Sequence, residues 1–407
     1  MGPAIRLPAF CIRDVLFLVF VGVGVLGCSV CSNGGLASLA AAPPPLTRVC
    51  YYSGETPGGD SPPSLNMPTV VPPRAPRPLQ LLAVSGGVAG APFTAGVLVG
   101  WTQTGTRPTF DQVTGISSGS LIGAYAFLGP KYDAPMQRLI LTLTASDLIK
   151  FRPLCCMLLD GAFGSAKPAE RLIRRAFDDN FMADLRCAHA QGRRLFVGTM
   201  NLETKRLAIW DLGAIASSGR PDANDVVRKV LLAAVSWPGA VPPVAFDIEV
   251  DGCCHREEHC DAGSVVMALP PIGPFPPSCL PQNGGAGADL YVLASRKLYS
   301  DPEPVPKRAF RRLKPSVTAI FEALTRADVC HLYSLCRLSG MRFHLLALPQ
   351  GYHGEPPSIA HLYPKEAPQL FEMGYHIGTS GPCWRCTPPG AEAGEGATPR
   401  DGREVRQ

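Results

Sequence analysis

Twice in this chain an apolar run breaks on glycine and passes at once into an apolar helical pattern. Residues 79–84 enter Ser85-Gly86-Gly87, and a helix is expected over 92–101, with Pro92 in the first turn where its missing N–H costs nothing. Residues 111–115 enter Gly115-Ile116-Ser117-Ser118-Gly119, and the next helix is expected over 118–128. Further strands are predicted over 195–199, 206–211, 290–294 and 343–348, and helices over 170–177 and 226–234. Strands alternating with helices imply an α/β fold whose central sheet is mostly parallel and covered on both faces.

Proline and glycine set the limits of that domain. Residues 40–78 and 379–407 are rich in both and too poor in apolar side chains to build a core. The expected plan is a Pro-rich tether over 28–78, one folded domain over 79–378, and a Pro/Gly-rich disordered tail over 379–407.

Ahead of the tether, Arg6 and Arg13 precede an apolar run over residues 15–26 and then Gly27-Cys28-Ser29. That pattern describes an export signal or membrane anchor over 1–27, because the run falls short of the roughly 20 apolar residues that span a bilayer. Val25-Leu26-Gly27-Cys28 resembles a lipobox, which makes Cys28 the candidate for lipidation. A cleaved signal and an uncleaved anchor are the competing readings. The expected location is therefore outside the cytoplasm, as a membrane-tethered lipoprotein or a periplasmic protein. The chain has fifteen cysteines, and an oxidising compartment would let disulfides persist among them. A net charge of +5 spread over the chain lacks the basic face or arm of a nucleic-acid binder.

Gly-x-Ser-x-Gly at a strand-to-helix turn makes Ser117 the candidate nucleophile. Gly115 and Gly119 leave room for the sharp bend, and the helix N-terminus favours developing negative charge. The turn Gly86-Gly87-Val88 could aim backbone N–H groups at the oxyanion of a tetrahedral intermediate. Its spacing fails the G-x-G-x-x-G pattern of a dinucleotide loop. A serine nucleophile needs a base, and Asp261-Ala262-Gly263 offers one on a small-residue turn.

These segments resemble the patatin-like phospholipase family. Leu82-Ala83-Val84-Ser85-Gly86-Gly87-Val88-Ala89-Gly90-Ala91 resembles its glycine-rich oxyanion segment, and residues 115–124 resemble its nucleophile elbow. Residues 197–202 and 209–211 resemble its central strands, and 231–239 the helix and loop before its catalytic aspartate. Asp261-Ala262-Gly263 stands where the family has Asp-Gly-Gly or Asp-Gly-Ala. The resemblance implies a three-layer α/β/α fold and a Ser117–Asp261 dyad without histidine. It also implies an oxyanion hole from Gly86, Gly87 and Val88, and cleavage of fatty-acyl esters of lipids with no metal or organic cofactor. A membrane surface is then the expected partner besides the lipid or other acyl-ester substrate.

Four positions depart from the family pattern: Val88, Ala91 and Ala262 each replace a glycine, and Gly90 an arginine. The departures raise the alternative of a patatin-fold lipoprotein that binds lipid or a partner without turnover. Asp160, Asp211 and Asp251 compete with Asp261 for the role of base, and His344, His353 and His361 leave a Ser–Asp–His order open. Residues 253–260 read as an insertion whose His255, His259 and cysteines could hold a metal, with disulfides to Cys260 or Cys279 the preferred reading. Cys383-Trp384-Arg385-Cys386 reads as a small disulfide loop. His189 and the arginine clusters 171–175 and 193–194 read as solvated helix surface.

Overall fold

The computed structural model describes residues 46, 50–52, 77–151, 164–250, 253–270, 287–302, 309–352 and 366–390. The main sheet contains β1 (Cys50–Tyr52), β2 (Gln80–Val84), β3 (Gln112–Ile116), β6 (Arg194–Asn201), β7 (Leu207–Asp211), β8 (Val244–Val250), β9 (Cys253–Asp261), β10 (Asp289–Ala294) and β11 (Arg342–Ala347). A separate ribbon pairs β4 (Lys150–Phe151) with β5 (Gly164–Ser165). The sheet runs in the order β1-β7-β6-β3-β2-β10-β11, parallel from β6 to β11 and antiparallel at the β7 and β1 edge. This is the mostly parallel α/β architecture expected.

β2 lies at the centre of the parallel set, and Leu81, Leu82, Ala83 and Val84 are all buried. That is why it reads as an unbroken apolar run rather than an alternating one. The helices that follow β2 and β3, Ala91–Gln103 and Ser118–Leu128, are buried almost all round and so lack a polar face. Ala91–Gln103 crosses the helix Ala367–Thr379 at backbone contact. A methyl at Gly96 would lie 2.1 Å from the Phe371 carbonyl oxygen, and one at Gly374 would lie 2.1 Å from that of Phe93.

The predicted strands and helices are present, with ends shifted by a few residues. Other features differ from the expectations. Residues 253–260 form most of β9, a strand the sequence pattern does not predict, which pairs antiparallel with β8 and with the end of β6. Its Cys-Cys-His-Arg-Glu-Glu sequence hides a strand because most of it is exposed. The domain does not stop at 378 either. Trp384 packs with its ring centroid 5.0 Å from Trp101 and 5.1 Å from Tyr291. Arg385 exchanges both backbone hydrogen bonds with Leu345, at 2.8 and 2.9 Å. Residues 391–407 lie outside the described residues.

Part of the expected tether also joins the sheet. β1 pairs with β7, and Leu46 bonds to the backbone of Asp247 and Glu249 on β8. The signal segment and Cys28 lie outside the described residues. Among the described cysteines, Cys187, Cys253, Cys254, Cys260, Cys330, Cys336, Cys383 and Cys386 are all thiols, so the pairings expected for Cys260 and for Cys383 with Cys386 are not made. No described helix is long and apolar enough to cross a membrane.

Candidate active site

β3 and β9 meet end to end on the same edge of β6. Ile116, the last residue of β3, is registered with Gly198, and the next position of β6, Thr199, is registered with Asp261. β3 turns off into its helix where β9 arrives. Two residues far apart in the chain therefore become neighbours, and Ser117 Oγ donates a 2.6 Å hydrogen bond to Asp261 Oδ2.

The turn holding Ser117 is strained. Its φ of 52° lies in the region that favours glycine, and among the described non-glycine residues only Lys205 shares a positive φ. Close packing enforces the bend. A methyl on Gly115 would lie 2.5 Å from the Gly119 carbonyl oxygen, and one on Gly119 would lie 2.5 Å from the carbonyl oxygens of both Val84 and Ser85. Both glycines of the motif thus have a steric cause.

Asp261 is 2 % exposed. Its Oδ1 accepts the Gly263 N–H at 2.8 Å. Burial pushes its carboxyl up to about 6, against the opposing pull of the Ser117 and Gly263 hydrogen bonds and the nearby Arg296 guanidinium. It remains mostly ionised at neutral pH and basic enough to accept a proton. Ala262 does not disturb this turn. Its methyl is buried with Ile116, Phe196, Leu207, Ile209 and Leu269, while the adjacent Gly263 supplies the N–H.

The glycine turn beside Ser117 is supported from several sides. Gly86 N–H donates to the Met267 carbonyl at 2.9 Å, so it is committed and cannot serve the oxyanion role expected of it. The N–H groups of Gly87 and Val88 have no acceptor among the described residues. Ser85 Oγ donates to the Gly86 carbonyl at 3.0 Å and accepts from Ser295 N–H at 2.9 Å. This fixes the peptide plane that carries the Gly87 N–H.

The positive φ of this loop, 140°, falls on Gly87 and not on Val88, so valine at 88 meets no backbone penalty. Gly90 has no room for any side chain, because a Cβ there would lie 1.9 Å from the Ser295 carbonyl oxygen. A cation still reaches this region from the other side. Arg296 follows β10, its stem lies against Gly87, and its guanidinium stacks 4.9 Å from the Phe321 ring centroid. Nothing in the sequence pattern marks Arg296, because its partners lie on a different helix.

The other candidates fall elsewhere. Asp211 caps the short helix Leu212–Ala216 by accepting from Ala214 N–H at 2.9 Å. Asp160 and Asp251 lie outside the described residues, as do His353 and His361. His344 lies at the other end of the sheet from Ser117, on β11, where its Nε2 is 2.7 Å from Asp289.

His259 is held between Thr199 at 2.9 Å and Glu257 at 3.0 Å, with both ring nitrogens used, and burial pushes it down to about 4. With a Glu257 carboxylate oxygen as the acceptor beside Nε2, the neutral imidazole carries its hydrogen there and Nδ1 accepts from Thr199 Oγ1, which in turn accepts from Trp210 Nε1. His255 is exposed on the same strand. His189 is half-buried against Gly213 rather than solvated. Arg193 donates to the Phe110 and Phe127 carbonyls and Arg194 to those of His189 and Arg193. Those two arginines fasten loops; Arg171, Arg174 and Arg175 are exposed, as expected.

The site thus combines a mostly parallel α/β sheet, a strained serine turn bonded to a buried aspartate, and a glycine turn with two N–H groups that have no acceptor among the described residues. Residues 82–271 match the model of the patatin-like phospholipase family, and the chain carries a patatin-like phospholipase domain with that family's fold. The match contains Ser117, Asp261 and the glycine turn. That match suggests lipid acyl hydrolase activity. No curated protein matches the chain. A solved structure, VipD from Legionella pneumophila, is similar at 11% identity over 75% of this chain and 67% of that one, with a TM-score of 0.36.

Proposed function

We propose that this protein is a serine acyl hydrolase that cleaves fatty-acyl esters of lipids through a covalent acyl-enzyme. The 2.6 Å Ser117–Asp261 hydrogen bond carries the reading. Ser117 Oγ attacks the ester carbonyl carbon while its proton passes to Asp261 Oδ2. Negative charge then builds on the carbonyl oxygen, which accepts hydrogen bonds donated by the N–H groups of Gly87 and Val88. Collapse breaks the C–O bond, and the alcohol leaves with the proton that Asp261 held. Water, deprotonated by Asp261, then attacks the acyl-enzyme and releases the fatty acid and free Ser117.

A fluorophosphonate probe tests the reading by labelling an activated serine. Labelling of the folded protein, abolished by Ser117→Ala and accompanied by fatty-acid release from phospholipid vesicles, is the expected outcome. Folded protein that neither labels nor releases fatty acid would overturn it.

The basic and apolar N-terminal pattern further supports export, with a membrane as the workplace. Mass spectrometry of the mature N-terminus tests this: a lipid on Cys28 supports the tethered form, and an unmodified Met1 sinks it.

A further inference from the structure

The helix Ala309–Ser339 lies outside the family-matched residues, yet one of its side chains reaches the segment that holds the glycine turn. Asp328 Oδ2 accepts two backbone hydrogen bonds, from Met267 N–H at 2.6 Å and from Ala268 N–H at 3.0 Å. The Ala268 N–H and the Met267 carbonyl are opposite edges of one peptide group. That carbonyl accepts the Gly86 N–H at 2.9 Å. A carboxylate and the glycine turn are therefore joined in line through a single amide, where each hydrogen bond polarises the next.

The glycine turn needs such support. Gly86, Gly87 and Gly90 bring little conformational preference of their own, and Gly87 sits at φ 140°. Gly86 is also the contact to the nucleophile: a methyl there would lie 3.1 Å from Ser117 Cβ and 3.2 Å from Met267 Cε. Displacement of Met267 would move the turn against Ser117 and re-aim the N–H groups of Gly87 and Val88. The same helix holds the next loop as well, because Glu322 accepts from Ser300 Oγ at 2.6 Å.

We propose that Asp328 is a positioning residue for the oxyanion side of the site, clamping the Met267–Ala268 peptide so that Gly86 holds the glycine turn in register with Ser117. It touches neither substrate nor nucleophile. The effect on turnover rests on the hydrolase reading above; the effect on the turn does not.

Two measurements on the full chain test it. Hydrogen exchange reads the turn whether or not the protein is an enzyme: Asp328→Ala should speed exchange of the Gly86 amide, while Asp328→Asn, which keeps an oxygen acceptor, should not. Fluorophosphonate labelling and ester hydrolysis read the chemistry. Asp328→Ala should lower kcat and the labelling rate about 10- to 100-fold, the scale of a misplaced oxyanion donor, with KM nearly unchanged. Asp328→Asn should restore both to within about threefold of the starting protein, because one hydrogen-bond acceptor replaces another.

Unchanged Gly86 exchange in Asp328→Ala overturns the proposal, as does Asp328→Asn behaving no better than Asp328→Ala. If Asp328→Ala does not fold, the Asn variant and Asp328→Ser decide: Ser, too short to reach both N–H groups, should speed Gly86 exchange, and failure to do so overturns the clamp. Starting protein that fails to label at all sinks the hydrolase reading and leaves the exchange result to judge Asp328.

Discussion

The turns after β2 and β3 are built from the same elements, a buried strand, glycines and an apolar helix, but they are held in different ways. The β3 turn is fixed by contact: Gly115 packs on Gly119, and Gly119 on the carbonyls of Val84 and Ser85. The β2 turn is fixed by hydrogen bonds from distant parts of the chain, with Met267 holding Gly86 and Ser295 holding Ser85. One turn stores strain in Ser117, and the other leaves two N–H groups open. Under the proposed hydrolysis the first turn would hold a nucleophile and the second would aim an oxyanion hole.

Substitutions can pull the two turns apart. Ser117→Ala should have the largest effect, lowering ester hydrolysis by about four to six orders of magnitude with the fold retained; steady-state kinetics beside circular dichroism check this, and residual turnover within tenfold would move the nucleophile elsewhere. Asp261→Asn comes next, with a loss of about 10²- to 10⁴-fold in kcat. Asp160→Asn should stay near the starting rate, and the reverse ranking would exchange the two aspartates.

Ser85→Ala tests the aimed turn alone. It should lower kcat about tenfold with little change in KM, because the Gly87 N–H loses the hydroxyl that orients its peptide. An effect confined to KM would place Ser85 outside the oxyanion chemistry.

A smaller effect belongs to pH. Asp261 must be ionised to act as base, and its carboxyl sits at about 6, so kcat/KM should fall below that pH by tenfold per unit. The positive charge of Arg296 favours the ionised form. Arg296→Met should therefore move the acid limb to higher pH and leave the rate on the alkaline plateau less affected. A shift to lower pH would contradict the assigned sign. Ala262→Gly should change least, within about twofold in kcat, since Gly263 and not residue 262 binds the carboxylate.

The same contrast explains what could be read from the chain. The β3 turn is legible because its signature lies within five residues, Gly115, Ser117 and Gly119, even though the carbonyls that Gly119 packs on belong to Val84 and Ser85. The parallel sheet is legible because strands buried on both faces become continuous apolar runs. Gly86 was assigned an open N–H that Met267 in fact occupies, and no local pattern could have revealed a partner that far along the chain. Asp328 and Arg296 were invisible for the same reason. The strand that delivers Asp261 read as an insertion because Cys253, His255, Arg256 and Glu258 face solvent, whereas strand patterns are recognised by buried residues. Val88 and Gly90, which looked like losses, are accommodated: the special φ falls on Gly87, and a Cβ at 90 would strike Ser295.

The interleaving of β2 with β10 and β11, and the crossing of Ala91–Gln103 over Ala367–Thr379, bear on how the molecule comes into being. A chain leaving the ribosome presents β2 and its glycine turn before the strands on one flank of it, β10 and β11, which follow only after β9. Until they emerge, β2 has one bare edge, and the following helix has no surface on which to seat Gly96 and Gly100. The nascent protein would therefore carry its serine turn well before the opposing half can close on it. Residues 82–271, cut out as a fragment, would remain at that unfinished stage.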